Sequence, residues 1–387
     1  MTCDDARRLM RRQQDDVEAI STDRQDWRWS LGQANFTKGA SMIGRSPVRV
    51  AVNGYGVIGK RVADAVRLQD DMELVGVCDV ASDWRLRSLD HKGITLYGAS
   101  EETARSMNQA GLAVAGTLKA LVQAVDIIVD CTPKRVGAAN VQHYRARGIK
   151  FIVHGGEKHA VTGHSFVADS SFTTAVGRES TRVVSCNTTS IVRTLSALKR
   201  AGLLKRARGT LLRRATDPWE SDAGGIMNTL VPEGEIPSHQ GPDARSVDPE
   251  LDVVTMAVKV PETLAHLHYW VVQLTRPAEK EEVLQAFRES SRIALIRTAD
   301  GLTAINTVKE LMADLDRPRD NLYEVALWED MLRTEGDELF YAYMVDNQAI
   351  VIPETIDAIR ALTGLASDAH SSIARTNASL GIRQRFF

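Results

Sequence analysis

The stretch VRVAVNGYGVIGKRVADAV (48–66) decides the fold. VRVAV (48–52) is an apolar, partly β-branched run of strand length, which suits a buried strand. It runs into NGYGVIG (53–59), where Gly54, Gly56 and Gly59 spell G-x-G-x-x-G. Past the turn, Ile58, Val62, Ala65, Val66 and Leu68 fall near helical spacing, and ELVGVCD (73–79) reads as a second strand. Strand, glycine turn, helix and strand make a βαβ unit. Gly54 allows the tight turn, Gly56 lets backbone approach a pyrophosphate, and Gly59 lets helix pack closely on strand. The helix start adds amide donors and the positive end of a dipole. Asp79 closes the second strand about 20 residues after Gly59, where an acid accepts the adenosine ribose hydroxyls. A carboxylate there repels a 2′-phosphate, so NAD is favoured over NADP, with Arg85, Arg87, Lys134 and Arg135 as cations able to offset it.

The alternation continues outward. Helix-like 102–110, strand-like 112–116, helix-like 117–125, strand-like 126–130, helix-like 134–147 and strand-like 150–156 follow in turn. Such a sequence predicts an α/β domain with a doubly wound parallel sheet, a Rossmann domain over 48–185. Beyond about residue 205 the texture changes. GTLLRRATD (209–217), LDVVTMAVKV (251–260) and HLHYWVVQLT (266–275) are long strand-like runs around a Gly- and Pro-bearing loop, 221–243. Helix-like segments at 283–293, 308–315 and 356–364 complete the chain. This predicts an α+β domain over 186–350 with a mixed or antiparallel sheet. Residues 1–47 are polar, rich in Asp, Arg and Gln, and read as a poorly ordered extension, with Met42 as an alternative start.

With 48 Lys+Arg against 50 Asp+Glu, the net charge is −2. That balance argues against a nucleic-acid partner and against attraction to an anionic membrane. No apolar run reaches membrane-span length, and the N-terminus has no apolar leader. The four cysteines, Cys3, Cys78, Cys131 and Cys186, are far apart, which disfavours a disulfide framework or a metal knuckle. No metal is expected, and the location expected is the cytoplasm.

SCNTTSIVRTLSAL (185–198) carries the chemistry. Ile191, Leu195 and Leu198 recur as a buried helical stripe, and Ser185, Asn187, Thr188 and Thr189 are capping-type residues around the helix start. Cys186 therefore sits at a helix N-terminus, where dipole and amides stabilise a thiolate and can hold an oxyanion. A nucleophilic cysteine needs a base, and His266 alternates with His268 on one face of a strand. Arg213 and Arg214 end another strand, a pattern suited to bidentate phosphate binding. His239 and Gln240 lie in the PSHQGPD loop (237–243).

Together these blocks resemble one family, the archaeal-type (type II) phosphorylating glyceraldehyde-3-phosphate dehydrogenases. The resemblance runs from Val48 to the C-terminus through VNGYGVIGKRVADAV, HGGEK, VVSCNTTS, RRATDP, PSHQGPD, VTMAVKVPETLAHLH, DLDRPRDNLYEVALWE, AIVIPETIDAIRA and TNASLGI. It implies oxidation of D-glyceraldehyde 3-phosphate by NAD(P) with inorganic phosphate, through a cysteine thioester, in a homotetramer. It implies a C-terminal segment, 351–387, that packs back on the Rossmann domain. It assigns Cys186 as nucleophile and His266 as base. It places Ser185, Asn187 and Thr188 in the aldehyde pocket, Arg214 with the His239–Gln240 loop at phosphate or cofactor, and Val57, Ile58 and Gly156 against the nucleotide. Three positions depart from the family pattern: Gln240 stands where the family usually has a histidine, Asp79 lies near where it often has a lysine, and Asn347 replaces a glutamine while keeping an amide able to hold the nicotinamide carboxamide. Other readings stay open: the same thioester chemistry on another aldehyde or semialdehyde, or a silent dinucleotide-binding regulator.

Overall fold

The computed structural model describes residues 46–221 and 225–387, so the polar extension expected over 1–47 lies, but for its last two residues, outside the described residues. Eight strands build the first sheet: β1 (Val48–Asn53), β2 (Met72–Asp79), β3 (Leu96–Gly98), β4 (Val114–Thr117), β5 (Ile127–Asp130), β6 (Lys150–His154), β7 (Ser165–Phe166) and β8 (Ser180–Val183). Their order is β4-β3-β2-β1-β5-β6-β8-β7, and every neighbouring pair is parallel. β1 pairs β2 on one side and β5 on the other, so the winding reverses there. That is the switch point, outside whose carboxyl ends a doubly wound sheet opens a crevice. Val50, Ala51 and Val52 are fully buried, as a central parallel strand requires.

The strands β3 and β7 have no counterpart in the sequence reading, because two or three residues cannot display a period. The helix expected from 134 begins at Val136. Pro133 and the left-handed Arg135 (φ 76°) break the chain first, and Glu157 receives the Arg135 N–H at 2.7 Å.

The second sheet contains β9 (Leu204–Arg214), β10 (Val231–Pro232), β11 (Val253–Val260), β12 (His266–Leu274), β13 (Ile293–Ile296), β14 (Val325–Trp328), β15 (Arg333–Glu335) and β16 (Glu338–Val345). It runs β10-β11-β9-β12-β16-β14-β13, with β15 added to β16. β9–β12–β16 are antiparallel, whereas β11–β9 and β13–β14 are parallel, so the sheet is mixed. Along β12, alternate residues His266, His268, Trp270 and Val272 are buried and Tyr269 and Val271 are exposed, the period of a strand with one covered face.

The helix Cys186–Arg200 packs against β9 and β16 of the second sheet and is buried continuously from Asn187 to Leu198. The helix Val351–Thr363 returns to cover β6, β8 and the helix Val57–Arg67 of the first sheet. Buried charge ties these pieces together. Glu354 receives Arg193 at 2.5 Å, Arg292 at 3.0 Å and the Ala168 N–H at 2.6 Å, while Arg292 also reaches Asp357 at 2.5 Å.

At the glycine turn the spacing is tight. Gly54 has φ +91°, and a Cβ on Gly59 would lie 1.8 Å from the Gly54 carbonyl oxygen. Gly59→Ala is therefore expected to spread the turn and weaken dinucleotide affinity at least tenfold, about 1.4 kcal/mol. Titration calorimetry with the cofactor checks this, and unchanged affinity would contradict it.

Candidate active site

A cleft of about 930 Å³ opens at the switch point. The first sheet contributes His154, Gly155 and Gly156, the second contributes Arg213, and Ile58, Ser185, Cys186, His239 and Asn347 complete much of its wall. Seven candidate site residues, from six separate segments, thus share one cavity: Ile58, Gly156, Ser185, Cys186, Arg213, His239 and Asn347.

Cys186 is the first residue of its helix and half-buried in the cleft wall. Ser185 caps the helix, its hydroxyl accepting the Thr188 N–H at 3.3 Å. The Asn187 main-chain N–H is next to the sulfur along the chain and favours its anion. Burial nevertheless pushes the thiol up to about 11, against the downward pull of Arg214, the Asn187 amide and Arg213. The sequence reading expected a lowered value; here desolvation exceeds what the helix start and two arginines supply. At rest Cys186 is therefore a thiol.

Behind it the loop is braced. Thr188 Oγ1 donates to Asp243 at 2.8 Å, and Arg182 bonds the other oxygen of Asp243 at 2.6 Å. Thr188 is fully buried and Asn187 nearly so, so their side chains face inward from the cleft. The Asn187 carboxamide oxygen lies 2.8 Å from His268 Nε2.

His266 is buried and receives the Arg214 N–H on Nδ1 at 3.0 Å. Burial, with His268, Arg214 and Arg213 nearby, holds its pKa well below the ordinary 6.5, so the ring is neutral. With Nδ1 accepting, the ring hydrogen sits on Nε2.

The two arginines are not equivalent. Arg213 pairs with Glu233, which His239 Nδ1 also approaches at 3.5 Å, and its Nε is buried without a partner. The Arg214 guanidinium turns to the Thr216 carbonyl at 2.5 Å and Asp217 at 2.6 Å. Asp217 also takes Gln348 Nε2 at 2.5 Å, which ties the end of β9 to the segment bearing Asn347. Gln240 is fully buried, and neither amide atom has a partner.

Three features of the glycine turn and the cleft suit a bound dinucleotide. A Cβ on Gly56 would meet nothing nearer than Arg85 at 4.0 Å, so the backbone is open to a phosphate. The Asn347 carboxamide oxygen is buried, lines the cleft and has no partner, as a receptor for an amide N–H requires. Asp79 accepts the N–H groups of Tyr55 (2.7 Å), Val80 (2.7 Å) and Ala81 (2.9 Å), which fixes the carboxylate beside the glycine turn. These residues fit a dinucleotide.

Lys158, Arg182, Glu233 and Asp243 were not singled out from sequence. HGGEK and PSHQGPD contain Lys158 and Asp243, so the blocks were visible without their roles. Glu233 belongs to a loop with no period to read.

A parallel doubly wound sheet with a glycine cradle at its switch point defines a dinucleotide-binding protein. Residues 48–157 match the family described as dihydrodipicolinate reductase, N-terminus, and residues 185–328 match glyceraldehyde 3-phosphate dehydrogenase, C-terminal domain. Curated glyceraldehyde-3-phosphate dehydrogenases are similar over nearly their whole length. That of Archaeoglobus fulgidus is 45% identical over 341 residues, covering 88% of this chain and 99% of the relative. Those of Thermococcus kodakarensis and Methanobrevibacter smithii are 43% and 42% identical, covering 87% and 86% of this chain and 99% of each relative. The chain belongs to the glyceraldehyde-3-phosphate dehydrogenase family.

Proposed function

We propose that the protein oxidises D-glyceraldehyde 3-phosphate to 1,3-bisphosphoglycerate with inorganic phosphate, through a thioester on Cys186. The observation that carries this reading is Cys186 at a helix start, in one cleft with Gly156, Arg213 and Asn347. Gly54, Gly56, Val57, Ile58, Gly59 and Asp79 hold the dinucleotide, and Asn347 its carboxamide; when bound, it accepts a hydride. The Cys186 sulfur attacks the aldehyde carbon, and the helix-start main-chain amide of Cys186 or Asn187 stabilises the developing oxyanion. His266 handles the hydroxyl proton of the resulting hemithioacetal. It accepts that proton at Nε2 from the tautomer that carries its hydrogen on Nδ1, which requires Nδ1 to release the Arg214 N–H. Arg213, freed from Glu233, and His239 receive phosphate, which attacks the thioester carbon and expels the sulfur. Splitting oxidation from acyl transfer is what the thiol contributes. Steady-state rates with and without inorganic phosphate test the reading: strict phosphate dependence supports it, and equal rates without phosphate contradict it.

Asp79 favours NAD. Asp79→Asn is expected to raise the ratio of kcat/KM for NADP over NAD about tenfold, the effect of ~1.4 kcal/mol. Kinetics with both cofactors check this. Exposed Met256, Tyr269 and Val271 on the open face of the second sheet support self-association, proposed as a homotetramer. Among the described residues no helix is long and apolar enough to cross a membrane, which suits the proposed cytoplasmic location. The proposed domains are 48–185, 186–350 and 351–387.

A further inference from the structure

His268 is fully buried on the covered face of β12, two residues from His266. Its cross-strand partner on β16 is Tyr343, and the two rings lie 4.9 Å apart. His268 Nδ1 is 2.9 Å from the Tyr343 hydroxyl, and His268 Nε2 is 2.8 Å from the Asn187 carboxamide oxygen. The Tyr343 hydroxyl also reaches Ser190 Oγ at 3.3 Å, and Ser190 Oγ donates to the Asn187 carbonyl at 2.8 Å. These contacts form a ring that starts and ends on Asn187; with one hydrogen each, Tyr343 donates to His268 Nδ1 and Ser190 to the Asn187 carbonyl, and the 3.3 Å approach between the two hydroxyls completes it as a packing contact. Asn187 is thereby held at its side chain and at its carbonyl. Its main-chain N–H, next along the chain from Cys186, is the amide that pulls the Cys186 thiol down.

We propose that His268, with Tyr343 and Ser190, is a positioning unit that fixes the Asn187 N–H against Cys186 and so keeps the thiolate accessible. The proposal rests on Cys186 being the nucleophile. Burial drives the His268 pKa down to about 3, so the ring is neutral and can keep one donor and one acceptor. A charged imidazole could not accept from Tyr343 and would add repulsion to a site already holding Arg213 and Arg214. The groups facing the sulfur are Arg213 and Arg214 from β9, Asp346 after β16 and the Asn187 amide, and only the last belongs to the ring. A donor beside an ionised group stabilises its anion, so an amide that drifts is felt at the sulfur as a slower alkylation rate.

The test is the rate of Cys186 carboxamidomethylation by iodoacetamide, followed by peptide mass spectrometry across pH 7 to 10. Three variants are compared with the wild type: His268→Phe, Tyr343→Phe and His268→Gln. His268→Phe is expected to slow alkylation about tenfold at each pH, as one unit in thiol pKa requires. Tyr343→Phe, which removes one hydroxyl from a ring of the same shape, is expected to slow it less, in the same direction. His268→Gln keeps an amide donor at the Nε2 position and is expected to restore much of the rate. A purely structural role would lower the melting temperature while leaving the alkylation profiles unchanged. Tyr343→Phe and His268→Gln profiles superimposing on the wild type, with His268→Phe folded and equally reactive or unfolded, would overturn the proposal. The wild-type control separates the two claims. Alkylation of Cys186 that leaves dehydrogenase turnover intact contradicts the catalytic reading itself.

Discussion

Replacing Cys186 by serine is expected to abolish phosphate-dependent turnover, by about 10⁴-fold or more. A serine hydroxyl ionises far less readily than a thiol, and this site does nothing to close that gap. The thiol is already raised to about 11 by burial, so the site relies on a nucleophile that is intrinsically reactive and on neighbours that steady its anion. The helix start would survive the change, because Ser185 and not Cys186 provides the cap. The variant should therefore keep its fold and its affinity for the dinucleotide. Stopped-flow measurement of hydride transfer, with calorimetry of cofactor binding, checks both halves. Wild-type turnover in a folded Cys186→Ser protein would remove the thioester from the account.

The second large effect concerns stability. Glu354→Leu is expected to destabilise the fold by about 3–5 kcal/mol, because it leaves two buried arginines with a missing counter-charge. Arg193 and Arg292 are both at least 99% buried, and both lean on Glu354 Oε1. The Ala168 N–H loses its acceptor at the same time. Arg292 retains Asp357, whereas Arg193 keeps only the carbonyls of Tyr323 and Ile350, so Arg193 suffers most. At 2–4 °C per kcal/mol for a domain of this size, the melting temperature should fall on the order of 10 °C. Calorimetry measures it, and a fall of less than about 2 °C would show that the site relaxes or takes in water. The consequence reaches the active cleft, because Arg193 lies on the helix that begins at Cys186.

The parallel sheet was legible because its strands are long enough to be uniformly apolar and its helices to show a stripe. VRVAV and DIIVD behave as a central pair, and the glycine turn lies where the winding reverses. The place of Cys186 at a helix start was legible for a local reason: the capping-type residues around it favour the first turn of a helix. What stayed hidden depends on contacts between distant segments. Nothing in RRATDP says that Arg213 meets Glu233 while Arg214 turns to Asp217. Nothing in CNTT says that Asn187 turns inward to His268, 81 residues away. The direction of the thiol pKa also depends on how much protein covers the sulfur, and a helix start by itself predicts the opposite sign. Gln240, with both amide atoms buried and unpartnered, is the departure whose consequence was least readable, since a substitution in a motif does not reveal which way the new side chain points.

One measurement bears most directly on the claim that Cys186 carries the acyl group. The enzyme is mixed with D-glyceraldehyde 3-phosphate and excess NAD in the absence of inorganic phosphate, quenched in acid within one turnover, and digested for mass spectrometry. The account predicts a phosphoglyceroyl thioester on the peptide containing Cys186, in amounts equal to the NADH formed, which disappears when phosphate is added before the quench. NADH formed with no acyl group on that peptide, or with the acyl group on Cys78 or Cys131, would contradict it.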